Sequence, residues 1–232
     1  MSIAPDLSTT TTAVSAVLVG VRSLNPWAIA AVLDEVADQR GLDVAVDEVV
    51  LPALRVVGSH WFTGALDVAH EHLLSSTVTR WVYGRLEQQH LHRRGRIVLA
   101  AGPHDLHVLG LDCLELLLAH RGVEVLNLGA QTPVESLVLA ATEAEAVAVV
   151  VCAHNSSVTT QAVRAVKAVA AAGFGVYYAG SSFESRFVRQ HTPGQPLDGP
   201  LSVTASLLAG LHTLPGDRAM SRPDRSRSRL TA

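Results

Sequence analysis

The apolar residues of this chain change their period once, and that change limits what the chain can fold into. From about Thr9 to His92 they recur at helical spacing, with Gly and Pro marking the breaks. From Arg96 onward, short apolar runs alternate with helical segments: Ile97–Ala101, Val123–Leu128, Ala146–Cys152 and Val176–Ala179. Runs of this length between helices read as parallel strands buried on both faces. The expectation is a four-helix bundle over residues 8–92, followed by a doubly wound, Rossmann-like α/β domain over residues 96–213.

The first half divides at its breakers. Thr9–Arg22 is one helix. Asn25-Pro26 opens a second, which ends near Gly41. A third runs from about Asp43 toward Trp61, with Pro52 kinking it or marking its effective start. After Gly64, a fourth covers about Leu66–Leu91. Short loops between four helices suggest an up-down bundle. In the second half, helices are expected at Leu106–His120, Pro133–Thr142, Val158–Ala172 and Leu201–His212. The basic junction Gln88–Arg96 is the expected domain boundary. Residues 214–232, rich in Arg, Ser and Asp, read as a disordered tail.

With 48% apolar residues in 232, the chain has material for a core, but aromatics are only 4%, so Ala, Val and Leu must fill it. A net charge of −3 argues against a protein built to grip phosphate backbones. The arginines at 222, 225, 227 and 229 read as a solvated tail, with contact to an acidic partner as the alternative. Cys113 and Cys152 lie in apolar runs and read as reduced, buried thiols. There is no secretory signal at the start and no apolar run near the ~20 residues needed to span a bilayer. The expected location is the cytoplasm, away from membranes. Walker loops, nucleophile elbows, dinucleotide fingerprints and zinc-site spacings are missing from the sequence, so no catalytic residue is assigned and a non-enzymatic module is expected.

Ligands on open parallel sheets bind beyond the carboxyl ends of the strands. Three loops follow such ends: Asp105–His107, Cys152–Asn155 and Gly180–Ser182. In the first, the imidazole of His107 is a suitable ligand for a transition metal. Asp105 is close enough to fix its tautomer. Gly110 leaves room for a bulky group. The same pattern also fits an ordinary polar loop with an incidental histidine.

Asp105-x-His107-x-x-Gly110 after the first strand resembles the cobalamin-binding motif of the family that includes methionine synthase and corrinoid carrier proteins. The resemblance extends over about residues 10–213. It implies that His107 takes the lower axial position on cobalt while the cofactor's own base drops into a groove beside the sheet. Asp105, Val108, Leu109 and Gly110 then line the corrinoid. Trp61, nine intervening residues, then Glu71-His72, resembles the Trp-x9-Glu-His pattern of adenosylcobalamin photoreceptors of the CarH and LitR type. That likeness implies that Trp61 packs on the adenosyl group, Glu71 hydrogen-bonds it, and His72 takes the upper position after photolysis. Ordinary bundle packing is the alternative for these three.

This chain departs from the pattern in places. Where relatives carry Ser-x-Leu after the third strand, it has Cys152-Ala153-His154, followed by Asn155 and Ser156. Where they carry Gly-Gly after the fourth, it has Ala179-Gly180-Ser181. Small residues persist, so the groove can form with different hydrogen bonds. His154 is a polar loop residue, a contact to the corrinoid tail, or a contact to a second chromophore. About eight residues precede the bundle, so the winged helix of CarH-type repressors is not expected, nor is direct DNA binding. The resemblance thus implies an adenosylcobalamin light sensor acting through self-association or a regulatory partner. A bilin such as biliverdin is an optional second pigment, for which His60, His70, His90, His92, His104 and His120 are candidates. The rival is a corrinoid methyl carrier serving a methyltransferase system.

Overall fold

A computed structural model describes residues 9–89 and 96–211. His90, His92, the rest of the basic junction through residue 95, His212 and the arginine-rich tail lie outside the described residues.

The chain opens with helices α1 (Thr10–Arg22) and α2 (Pro26–Arg40). Each start is fixed locally. Thr9 accepts the amide of Thr12, and Asn25 Oδ1 accepts the amide of Ala28, with Pro26 supplying a first turn that needs no donor. The expected third helix is three joined pieces: α3 (Leu42–Val44), a π-helical segment (Ala45–Val50) and α4 (Leu51–Phe62). Pro52 stands in the first turn of α4. In place of a kink, the ladder ahead of Pro52 widens, with Leu51 N–H donating to Val46 O five residues back. Helix α5 (Val68–Leu86) begins two residues later than the sequence suggested, because Asp67 caps it by accepting the amide of Ala69.

The second half is a five-stranded parallel sheet in the order β2-β1-β3-β4-β5, with β1 Arg96–Ala101, β2 Glu124–Asn127, β3 Ala148–Cys152, β4 Val176–Ala179 and β5 Gln195–Pro196. Its helices are α6 (Leu109–His120), α7 (Val134–Glu143), α8 (Thr159–Ala171), the short α9 (Arg186–Gln190) and α10 (Leu201–Gly210). Strand alternation sorts the core. Ile97, Leu99, Ala148 and Val150 face a cluster with α6, α10 and the helical bundle. Val98, Ala100, Val149 and Val151 face α7 and α8. The doubly wound α/β class read from the sequence is therefore the one observed.

α9 and β5 were not expected. β5 is two residues long and carries a proline on a sheet edge, where a missing donor is tolerated. No apolar run announces it.

The bundle does not stand apart from the sheet. Leu74, Val78 and Trp81 of α5 share one apolar cluster with Leu111, Leu114 and Leu117 of α6. Two acids, one in α3 and one in the π segment, bolt the layers together. Asp43 takes two hydrogen bonds from Arg121, at 3.0 and 2.8 Å. Asp47 accepts the amides of Leu201 (2.8 Å) and Ser202 (3.1 Å), capping α10 across the whole chain. A carboxylate at a helix N-terminus and a guanidinium just past the C-terminus of α6 both suit the helix dipoles. Among the described residues no helix is long and apolar enough to cross a membrane.

Candidate functional site

In this strand order β1 and β3 are neighbours while β2 and β4 lie outward of them, so a crevice opens at the carboxyl ends of β1 and β3. Between that edge and the bundle lies a cavity of about 1300 Å³. Its floor comes from the loops after β1, β3 and β4. Its roof comes from α4 and α5.

The floor is organised by one carboxylate. Asp105 is 1% exposed. Its Oδ1 accepts the amide of His107 at 2.9 Å and His107 Nδ1 at 2.7 Å, and its Oδ2 accepts the amide of His154. Burial raises the pKa of this acid, but the hydrogen bonds from His107 and His154 outweigh it, and the net value falls below the ordinary carboxylate range. A carboxylate can only accept, so Nδ1 of His107 is the protonated nitrogen. The Nε2 lone pair has no partner among the described residues. The ring is 64% exposed. This local net also delays α6, which starts at Leu109 where the sequence suggested Leu106. His104, just ahead of it, takes a left-handed backbone conformation at φ 65°.

His107, Val108, Leu109, Gly110, Cys152, His154, Gly180 and Ser181 all line the cavity. A Cβ built on Gly110 would meet nothing within 4 Å, so the space the sequence reserved there is real. Gly180 is needed for the opposite reason: at φ 100° its Cβ would overlap the carbonyl oxygen of Ala153. Ser181 Oγ donates to His154 O at 2.7 Å, fastening the third loop to the second. The His154 ring lies 5.6 Å from that of His107, centroid to centroid. It faces the open cavity, yet desolvation by the surrounding protein, and after that the nearby His107 ring, hold its pKa below the ordinary imidazole value. Burial pushes the Cys152 thiol up to about 12, so it stays protonated. Two residues of the expected set do not reach the wall. Asp105 acts from beneath it, and Ser156 is exposed on a 3-10 turn that Asn155 sets up by accepting the amide of Ser157.

The roof brings Trp61, Glu71 and His72 to the same cavity. Trp61 is 50% exposed. Glu71 Oε2 lies 2.6 Å from His72 Nδ1, and its Oε1 accepts Ser75 Oγ at 2.6 Å. The pair thus repeats the floor's arrangement of a carboxylate on Nδ1 with Nε2 free.

Sequence reasoning missed several wall residues. Arg189 and Asp198, paired at 2.7 Å on each of two bonds, form part of the rim, and Arg55 and the buried Thr204 also line the cavity. They belong to elements without a motif, so no local signal marks them. Of the histidines considered for a bilin, His60, His70, His104 and His120 are not in the cavity wall. No group of three or more His, Cys, Asp or Glu side chains among the described residues could hold a metal ion by itself.

Residues 16–83 match the family described as B12 binding domain. The HTH-type transcriptional repressor CarH of Myxococcus xanthus is 42% identical over 106 residues, which is 46% of this chain and 36% of that protein. The methionine synthase of Mycobacterium tuberculosis is 29% identical over 111 residues, 45% of this chain and 9% of that protein. The chain thus spans about a third of the first relative and under a tenth of the second. The monomethylamine corrinoid protein of Methanosarcina barkeri superposes with a TM-score of 0.68 over 88% of this chain and 100% of that one, at 10% identity, so the two share a fold.

Proposed function

We propose that the cavity holds a corrinoid, whose cobalt His107 Nε2 would hold, and that the chain is an adenosylcobalamin-dependent light sensor. The observation that carries this reading is that Trp61 and the Glu71–His72 pair stand on the opposite wall of the same cavity as His107. The residues suit such a group. The cavity exceeds the roughly 300–1,000 Å³ typical of drug-sized ligands. One imidazole is held in a single tautomer with its lone pair free, and the position above Gly110 is open.

Bound adenosylcobalamin supplies a cobalt–carbon bond that light breaks. The chain's residues do the rest. Asp105 holds the His107 ring in the tautomer that donates from Nε2. Trp61 would cover the bundle side of the bound group against water. His72, oriented by Glu71, is the imidazole that the roof would offer to the metal of the bound group. Signal output follows from a shift of the bundle against the sheet, altering contact with a regulatory protein or a second copy of the chain. The module binds and switches; it does not turn over a substrate.

Protein reconstituted with adenosylcobalamin in the dark is expected to show imidazole ligation and to bleach under green light. His107→Ala is expected to lose that ligation. Unchanged ligation in this variant overturns the assignment. The half-exposed Trp61 and His107 also suit a second reading, a corrinoid carrier whose cofactor other proteins must reach. Preference for methylcobalamin, with methyl transfer in the dark, decides for the carrier. A pigment bleaching only beyond the corrinoid bands after addition of biliverdin would bring the bilin back into account.

A further inference from the structure

We infer that Thr204 is the hydrogen-bond donor to the flat nucleotide base that the corrinoid reading places in the deep end of the cavity. This inference rests on the corrinoid reading and adds a specificity residue to it.

The deep end lies between the sheet and the α6–α10 layer. Val150 and Cys152 of β3, Leu111 and Leu114 of α6, and Thr204 of α10 line it, and all are buried. Its walls are therefore apolar, apart from one hydroxyl and one thiol. Thr204 is 5% exposed. Among the described residues the other six buried polar side chains each have a hydrogen bond. Thr204 Oγ1 has none.

The lack of a partner is not forced by the helix. A helical threonine ordinarily bonds the carbonyl of the preceding turn. Thr79 and Thr142 do so, at 3.0 and 2.8 Å. Pro200 O, the equivalent acceptor for Thr204, takes only its amide. The hydroxyl is not sealed in the core either. The one fully enclosed, unpartnered side-chain nitrogen or oxygen among the described residues is Arg40 Nη1. Thr204 Oγ1 therefore opens onto the cavity it lines. Asp47, by accepting the amides of Leu201 and Ser202, holds the first turn of α10 in place, so the hydroxyl sits at a fixed position.

On the sheet side of the same cavity, the last residue of β3 is Cys152. A thiol is a weak donor, and this one already lies 3.6 Å from His154 Nδ1. Thr204 thus offers the strong donor that the β3 end lacks. A flat ring suits the apolar walls, and a ring nitrogen released from cobalt is an acceptor in want of a donor. The weak donor at Cys152 and the idle hydroxyl at Thr204 become one fact: the deep end takes its hydrogen bond from α10 and not from the sheet.

The test compares two probes: cobalamin, which carries the nucleotide base, and cobinamide, which has the same corrin ring without it. Thr204→Val is expected to weaken cobalamin about tenfold, the scale of one net hydrogen bond, and to leave cobinamide unchanged. Thr204→Ser is expected to keep both affinities. Equal cobalamin affinity in Thr204→Val and wild type, or equal weakening of both probes, overturns the inference while leaving the corrinoid reading intact. Binding of neither probe to wild type defeats the corrinoid reading itself. Should Thr204→Val fail to fold, wild type alone still decides, since equal affinity for cobalamin and cobinamide also overturns the role of Thr204.

Discussion

The cavity has two carboxylate–imidazole pairs, one in its floor and one in its roof, and they are built very differently. Asp105–His107 and Glu71–His72 have nearly the same bond, 2.7 against 2.6 Å to Nδ1. The floor acid has a side chain with no exposure and gathers amides from two loops; the roof acid is 31% exposed on one helix and bonded only to residues of its own turn. The difference teaches where stiffness resides. A buried acid held by several donors cannot leave its place without stranding them, whereas a surface pair is worth little and rearranges easily. The floor is set before any ligand arrives. The roof is free to respond to one.

The largest effects are expected where the floor's backbone is broken. Gly180→Ala drives a Cβ into Ala153 O at a left-handed φ and is expected to cost about 3 kcal/mol or more, read as a lowered urea midpoint. Little change would show that the floor is as yielding as the roof. Asp105→Asn is expected to weaken corrinoid binding by about ten- to a hundredfold, as loss of a partner behind a metal ligand does, measured by titration in the dark.

The same acid has a pH signature. Its folded pKa is depressed, so its contribution to stability is complete above the ordinary aspartate value near 3.9 and is lost as pH falls through the lower folded value. Asp105→Asn is expected to flatten the acid limb of a stability–pH curve. Glu71→Gln is expected to change stability by less than about 1 kcal/mol, because its pair is exposed. A thermal shift as large as that of Asp105→Asn would erase the contrast. Trp61→Ala, half exposed, is expected to do least to folding, with any effect confined to dark-state protection of the corrinoid, read as the bleaching rate under dim light.

Much of the site was legible because its chemistry is local. Asp105 and His107 are two residues apart and follow an unmistakable apolar run, so the loop between strand and helix could be read directly. Trp61 and Glu71-His72 lie on consecutive helices, where only their resemblance to a known pattern, and no local spacing rule, suggested a shared site. Ser156 shows the limit: it follows the right strand, but Asn155 accepting the Ser157 amide turns the chain so that Ser156 stays outside the wall. The helix ends erred by two or three residues at Leu66 and Leu106, where the side chains of Asp67 and Asp105 competed for the backbone.

By itself, the sequence determined the two-part architecture, the four long strands, the loop that presents His107 and the company it keeps in Trp61, Glu71 and His72. The architecture and the His107 loop rest on periodicity and on spacings of a turn or two, whereas Trp61, Glu71 and His72 were marked only by their resemblance to a known pattern. Only the tertiary structure decided the π-helical segment, the two-residue β5, the bolting of the bundle through Asp43 and Asp47, and the idle hydroxyl of Thr204. The bolts join residues 78 to 155 positions apart, and the hydroxyl is defined by a partner's absence; no local pattern records either.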